Sequence, residues 1–102
     1  MTKKFLRVFL VCVLVVSAVS SAFAFEAYVN LKDGYLNVRS RPSINGKVVA
    51  KLDDGDYVEV IEEKTTREKE KGRMKSRTWY LIEYDDDGHR GWAAADYIRE
   101  YE

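Results

Sequence analysis

The chain has 102 residues, with 17 basic and 17 acidic side chains, one histidine and one cysteine. A chain this short makes one small domain, and its balanced charge leaves no basic footprint for nucleic acid. The lone cysteine, Cys12, excludes an internal disulfide as a staple.

The first segment reads as an address. Lys3, Lys4 and Arg7 precede an almost unbroken apolar run from Val8 to Val19, and Ala22-Phe23-Ala24 ends it on the small-x-small pattern of a signal peptidase site. The run falls short of the roughly 20 residues that span a bilayer. Residues 1–24 are therefore expected to be a cleaved secretory signal, with a mature chain from Phe25 in the periplasm or outside the cell and no membrane span left after cleavage; the competing reading is an uncleaved N-terminal anchor. Cys12, preceded by Val11 and close to Arg7, does not suit a lipid anchor. Removing 24 of the 102 residues leaves 78, carrying 14 basic and 17 acidic side chains, a net of −3.

The remainder has the two-residue alternation of an all-β domain. Ala27–Leu31 is a short strand, and Lys32-Asp33-Gly34 a turn. Tyr35–Arg39 alternates, with Leu36 and Val38 on one face and Tyr35, Asn37 and Arg39 on the other. Pro42 donates no ladder hydrogen bond and biases Arg41 toward extended backbone, so the strand stops near Ser40 and a loop runs through Asn45-Gly46. Val48–Leu52, Tyr57–Glu62, Thr78–Tyr84, Arg90–Ala94 and Ile98–Tyr101 are further strands, with turns at Asp53–Asp56 and Ala95–Tyr97. Their brevity suits a small closed barrel of five to six short antiparallel strands rather than a sandwich.

Asp87-Gly88 suits a two-residue type I′ turn. That register pairs Tyr84 with Gly91, Glu83 with Trp92 and Ile82 with Ala93. Tyr80, Ile82, Tyr84 and Ala93 then face the core, while Trp79, Leu81, Glu83 and Trp92 face outward. Residues 64–77 abandon the pattern: seven basic and two acidic side chains have almost nothing to bury. They read as a charged insertion, either a solvated loop or an extended hairpin with Gly72 near its tip.

Three segments carry a resemblance to the bacterial SH3-like domain family. They are Leu36-Asn37-Val38-Arg39-Ser40-Arg41-Pro42-Ser43, with Arg41 where that family usually has glycine; Val48–Val60, with its Asp-Gly turn; and Trp79-Tyr80-Leu81-Ile82 with Gly91-Trp92-Ala93 and Asp96-Tyr97-Ile98. The resemblance implies an SH3-like barrel over residues 25–102 and a non-catalytic binding role in the bacterial envelope. The implied partner is peptidoglycan, a wall-associated peptide or an envelope protein.

Trp79, Trp92 and Tyr97 are the candidate stacking surface for such a ligand, and Arg39 and Arg41 the candidate grips for its carboxylates. The competing reading has the tryptophans capping the barrel end and the arginines paired on the surface. Asn37 is expected to brace its loop through backbone hydrogen bonds. An alternative function is a protein adaptor that engages an acidic partner through residues 64–77. Asp85-Asp86-Asp87-Gly88 lacks the ligand spacing and terminal bidentate Glu of a calcium loop. With His89 the sole histidine and no cysteine after Ala24, neither a zinc site nor a catalytic triad is supported, and no cofactor is implied.

Overall fold

Each strand contributes one or two small or branched apolar residues to a single core. The computed structural model describes residues 23–101; the proposed signal lies almost wholly outside the described residues. Seven strands follow in chain order: β1 (Phe25–Val29), β2 (Leu36–Arg39), β3 (Val48–Leu52), β4 (Tyr57–Glu70), β5 (Arg73–Glu83), β6 (Arg90–Ala94) and β7 (Ile98–Glu100). A 3-10 turn, Ala95–Tyr97, joins the last two. Ala27, Val29, Leu36, Val38, Leu52, Val58, Val60, Ile82, Ala93 and Ile98 form the buried cluster, and the alternation of the sequence places every one of them inward. Among the described residues no helix is long and apolar enough to cross a membrane.

The strands make one antiparallel sheet in the order β3-β2-β6-β5-β4-β1-β7. The sheet curls into a half-barrel with β3 and β7 as its edges, so the closed cylinder expected from the sequence is an open one with one or two more strands. The β3 edge is irregular: its pairing with β2 jumps at Val49, and a bulge with a nearby Lys51 makes a poor template for further strand addition.

Of the two readings of residues 64–77, the extended hairpin with Gly72 at its tip is the one the structure takes, not the solvated loop. β4 and β5 continue past the body as a long two-stranded arm, paired from Glu62↔Leu81 to Glu70↔Arg73. Lys71 (φ 53°) and Gly72 (φ 78°) close it. Both central residues have positive φ, which defines the type I′ turn and its match to strand twist. Backbone pairing needs no apolar side chain, so a polar ribbon forms where hydrophobic periodicity is silent.

A bulge aims this arm. Val60 pairs with Ile82, but Glu62 pairs with Leu81, leaving Ile61 as the extra residue. Regular pairing would have turned Glu62, Thr66, Glu68 and Glu70 to the core face. With the bulge they share the outer face with Trp79 and Arg77.

The β5–β6 connection departs from the type I′ expectation. Tyr84 N–H donates to His89 O, enclosing four residues, and Gly88 N–H donates to Asp85 O within them. Only Gly88 of the pair Asp87-Gly88 has positive φ (84°). Asp85 Oδ1 accepts from the N–H groups of Asp87 and His89, an Asx turn that favours the longer loop. Ile82 consequently pairs with Gly91 and Leu81 with Trp92. The register differs from expectation by two residues, which conserves every face because the side-chain period is two.

Candidate functional site

The outer face of β2 is the back wall of a cleft of about 300 Å³. Asn37 and Arg39 come from that strand; Leu31, Asp33 and Tyr35 come from the turn before it. Ile44 reaches in from the loop after β2, Arg77 and Trp79 from β5, Ala94 from β6 and Tyr97 from the 3-10 turn. Segments far apart in sequence thus meet where β2, β6 and β5 are neighbours in the sheet.

The loop after β2 is held from within and from the arm. Ser40 N–H donates to Lys47 O, Ser43 N–H to Arg41 O, and Gly46 N–H to Ser43 O. Asn45 N–H donates to the Ser43 hydroxyl. Glu68 of the arm accepts from Ile44 N–H at 3.3 Å. The Ser43 hydroxyl, foremost, and the Ile44 amide hold the Glu68 carboxyl below its usual range. The arm therefore latches the loop that carries Ile44 into the cleft.

Of the five residues singled out from the sequence, the cleft gathers Arg39, Trp79 and Tyr97. Arg39 donates from Nη1 to Gly46 O at 2.9 Å, bracing its own loop. Trp79 is 2% exposed, so it offers no ring face for stacking. Its Nε1 donates to Thr66 Oγ1 on the arm at 3.1 Å, and the indole serves as cleft floor. The stacking role is corrected to a structural one. Tyr97, 45% exposed, and Tyr35, 53% exposed, are the rings that ligand can reach. Lys51 fixes Tyr35 from one side, with Nζ 4.4 Å from the ring centroid and 3.3 Å from the hydroxyl.

Arg41 and Trp92 lie outside the cleft lining. Arg41 is exposed and reaches Asn45 O at 3.5 Å. Trp92 is half-buried beside its cross-strand partners Leu81 and Arg39, which accounts for the outward apolar pair on β5 and β6.

Asn37 does not brace its loop. Its Oδ1 is buried with no hydrogen-bond partner among the described residues. Tyr35 was legible as a site residue, since it shares the outward face of Asn37 and Arg39. Arg77 was not, because its strand is purely polar there.

At the opposite hairpin, Asp85, Asp87 and His89 place potential ligand atoms within 4.8 Å of one another, all exposed. His89 Nδ1 and Asp85 Oδ2 lie 2.7 Å apart. That hydrogen bond raises the His89 pKa and lowers that of Asp85. The cluster's own hydrogen bonds hold the turn.

An open β half-barrel with a small aromatic and polar cleft defines a binding module. The profile of the bacterial SH3 domain matches residues 34–99, and the chain belongs to the bacterial SH3 domain family, whose members are binding domains often associated with the cell wall. No curated protein and no solved structure matches the chain.

Proposed function

We propose that this protein is a secreted, non-catalytic binding module of the bacterial envelope whose cleft recognises a peptide of peptidoglycan or of a wall-associated protein. One observation carries the reading: the cleft sets two exposed tyrosine rings, Tyr35 and Tyr97, around Arg39 and Asn37, whose Oδ1 has no hydrogen-bond partner among the described residues. Its volume is at the lower end for organic ligands, enough for a few residues of an extended chain. Tyrosine faces take the apolar edges of such a chain, and the guanidinium of Arg39 takes a carboxylate. A small rotation that carries Asn37 Oδ1 into the cleft would let a ligand N–H relieve its unmet hydrogen bond. Release at Ala24 fits this reading, because Phe25 is the first residue of β1 and pairs at once with Val60.

Retention on purified sacculi tests the proposal. Tyr35→Ala and Tyr97→Ala are both at exposed positions, so each variant should stay folded and lose roughly ten-fold or more in retention. Undiminished retention of the folded double variant would remove the cleft as the site.

A further inference from the structure

Charge is segregated along this chain and then segregated again across the arm. Residues 64–77 hold seven basic and two acidic side chains, whereas the rest of residues 25–102 holds seven basic and fifteen acidic. Both acids of the arm are engaged on its half-buried face. Glu68 accepts from Ile44, and Glu70 lies 3.0 Å from Arg77 and 3.9 Å from Lys75. The other face carries Arg67 opposite Ser76 and Lys69 opposite Met74, all exposed. Lys71 in the turn and Arg73 beside it complete the tip. Among the described residues none of Arg67, Lys69, Lys71 and Arg73 is in an ion pair.

Distance keeps the outermost of these cations, Lys71 and Arg73, from being cancelled. From Lys64 to the tip the ribbon extends about 20 Å at roughly 3.3 Å per residue, beyond twice the ~8 Å screening length at physiological salt. The acidic body is electrically remote from the tip. Met74 is 56% exposed there, an unbranched apolar side chain flanked by Lys69, Lys71, Arg73 and Lys75.

We propose that the end of this hairpin docks on an anionic phospholipid surface, its cations meeting headgroup phosphates while Met74 enters the interfacial zone. A dissolved polyanion would use the cations alone; a lipid interface takes both charge and exposed thioether. The acidic body is repelled by the same surface, so the molecule stands tip-first. This holds independently of what the cleft binds.

Vesicle co-sedimentation of the full chain is the test, at about 0.1 M salt, with neutral phosphatidylcholine vesicles and with vesicles containing roughly a third phosphatidylglycerol. The chain should bind the anionic vesicles, and each cation removed should weaken binding about five-fold. Joint change of Arg67, Lys69, Lys71 and Arg73 to Gln should weaken it by at least about 100-fold. Met74→Ser should lower it by a further few-fold with all charges in place. Any contribution of the N-terminal apolar segment appears on neutral vesicles and is common to every variant. Tryptophan emission from buried Trp79 reports that each variant is folded, and the milder Arg67→Gln/Lys69→Gln pair serves if the fourfold variant is not. Equal sedimentation of wild type and Gln variants overturns the proposal. So does binding to soluble polyphosphate that matches vesicle binding and ignores Met74→Ser. A salt-sensitive dimer in sedimentation velocity, lost in the Gln variants while no vesicle binds, would assign the tip to a second copy instead.

Discussion

Gly91 of β6 lies close against β2, and adding one methyl there tests the packing of the half-barrel. A Cβ at this position would lie 2.5 Å from Val38 Cγ1, 3.1 Å from Arg39 O and 3.4 Å from Val49 Cγ2. Carbon atoms rest at about 3.5–4.0 Å, so the first contact is short by roughly 1 Å. Val38 is fully buried and β-branched, so its χ1 is restricted and it has little room to move aside. Gly91→Ala should therefore cost about 2–3 kcal/mol of overpacking, offset by about 0.5–1 kcal/mol from the stiffer unfolded chain. A net loss of about 1–2 kcal/mol is a large share of the roughly 4–12 kcal/mol expected of a domain this size, and would lower the melting temperature by about 4–8 °C per kcal/mol. The decisive comparison is the Val38→Ala background, where the obstructing methyl is gone. Urea titration followed by tryptophan emission should then show Gly91→Ala to be close to neutral, a coupling of at least about 1 kcal/mol. Additive losses in the double variant would mean that Val38 is not what the methyl meets, and the reasoning would fail.

Trp79→Ala should cost about 3–5 kcal/mol and leave little cooperative unfolding, while Thr66→Val, which deletes the indole's acceptor and keeps the shape, should cost about 1 kcal/mol; chemical denaturation separates the two. Glu68→Ala should speed amide hydrogen exchange at Ile44 several-fold by removing its acceptor. Because the Glu68 pKa is lowered on folding, that protection is present above the ordinary glutamate range and is lost as pH falls through the folded value. For the β5–β6 turn two signs combine. His89, raised by Asp85, contributes below its unfolded pKa and fades as pH rises through its folded one; Asp85, lowered by His89, contributes above its unfolded pKa and fades on acidification. The pair should thus hold the turn best between about pH 4 and 6.5. Titration by NMR should place His89 above its ordinary midpoint, and Asp85→Asn should return it there; no change on substitution would sink the assignment.

Two-residue alternation is enough to tell the core face of the sheet from its outer face. Alternation in Leu36–Arg39, Tyr57–Val60 and Tyr80–Ile82 marks the core face directly, because successive strand side chains point to opposite sides. The bounds of β3 and β6 and the 3-10 turn at Ala95–Tyr97 follow from the same pattern and from the turn residues between strands. Even the mistaken register at Asp85–Gly88 left every face correct, since a shift of two residues preserves parity.

What the outer face does depends on contacts between strands and loops that no local pattern shows. Strand pairing through the backbone extends β4 and β5 over residues that have no apolar signal, and the extra residue at Ile61 turns Thr66 and Glu68 toward Trp79 and the loop at Ser43–Ile44. Those contacts bury Trp79, a residue whose sequence context reads as exposed. They also leave Tyr35 and Tyr97 as the accessible rings. A period of two reports which side a residue is on; what covers that side depends on chain segments dozens of positions away, and no local pattern encodes it.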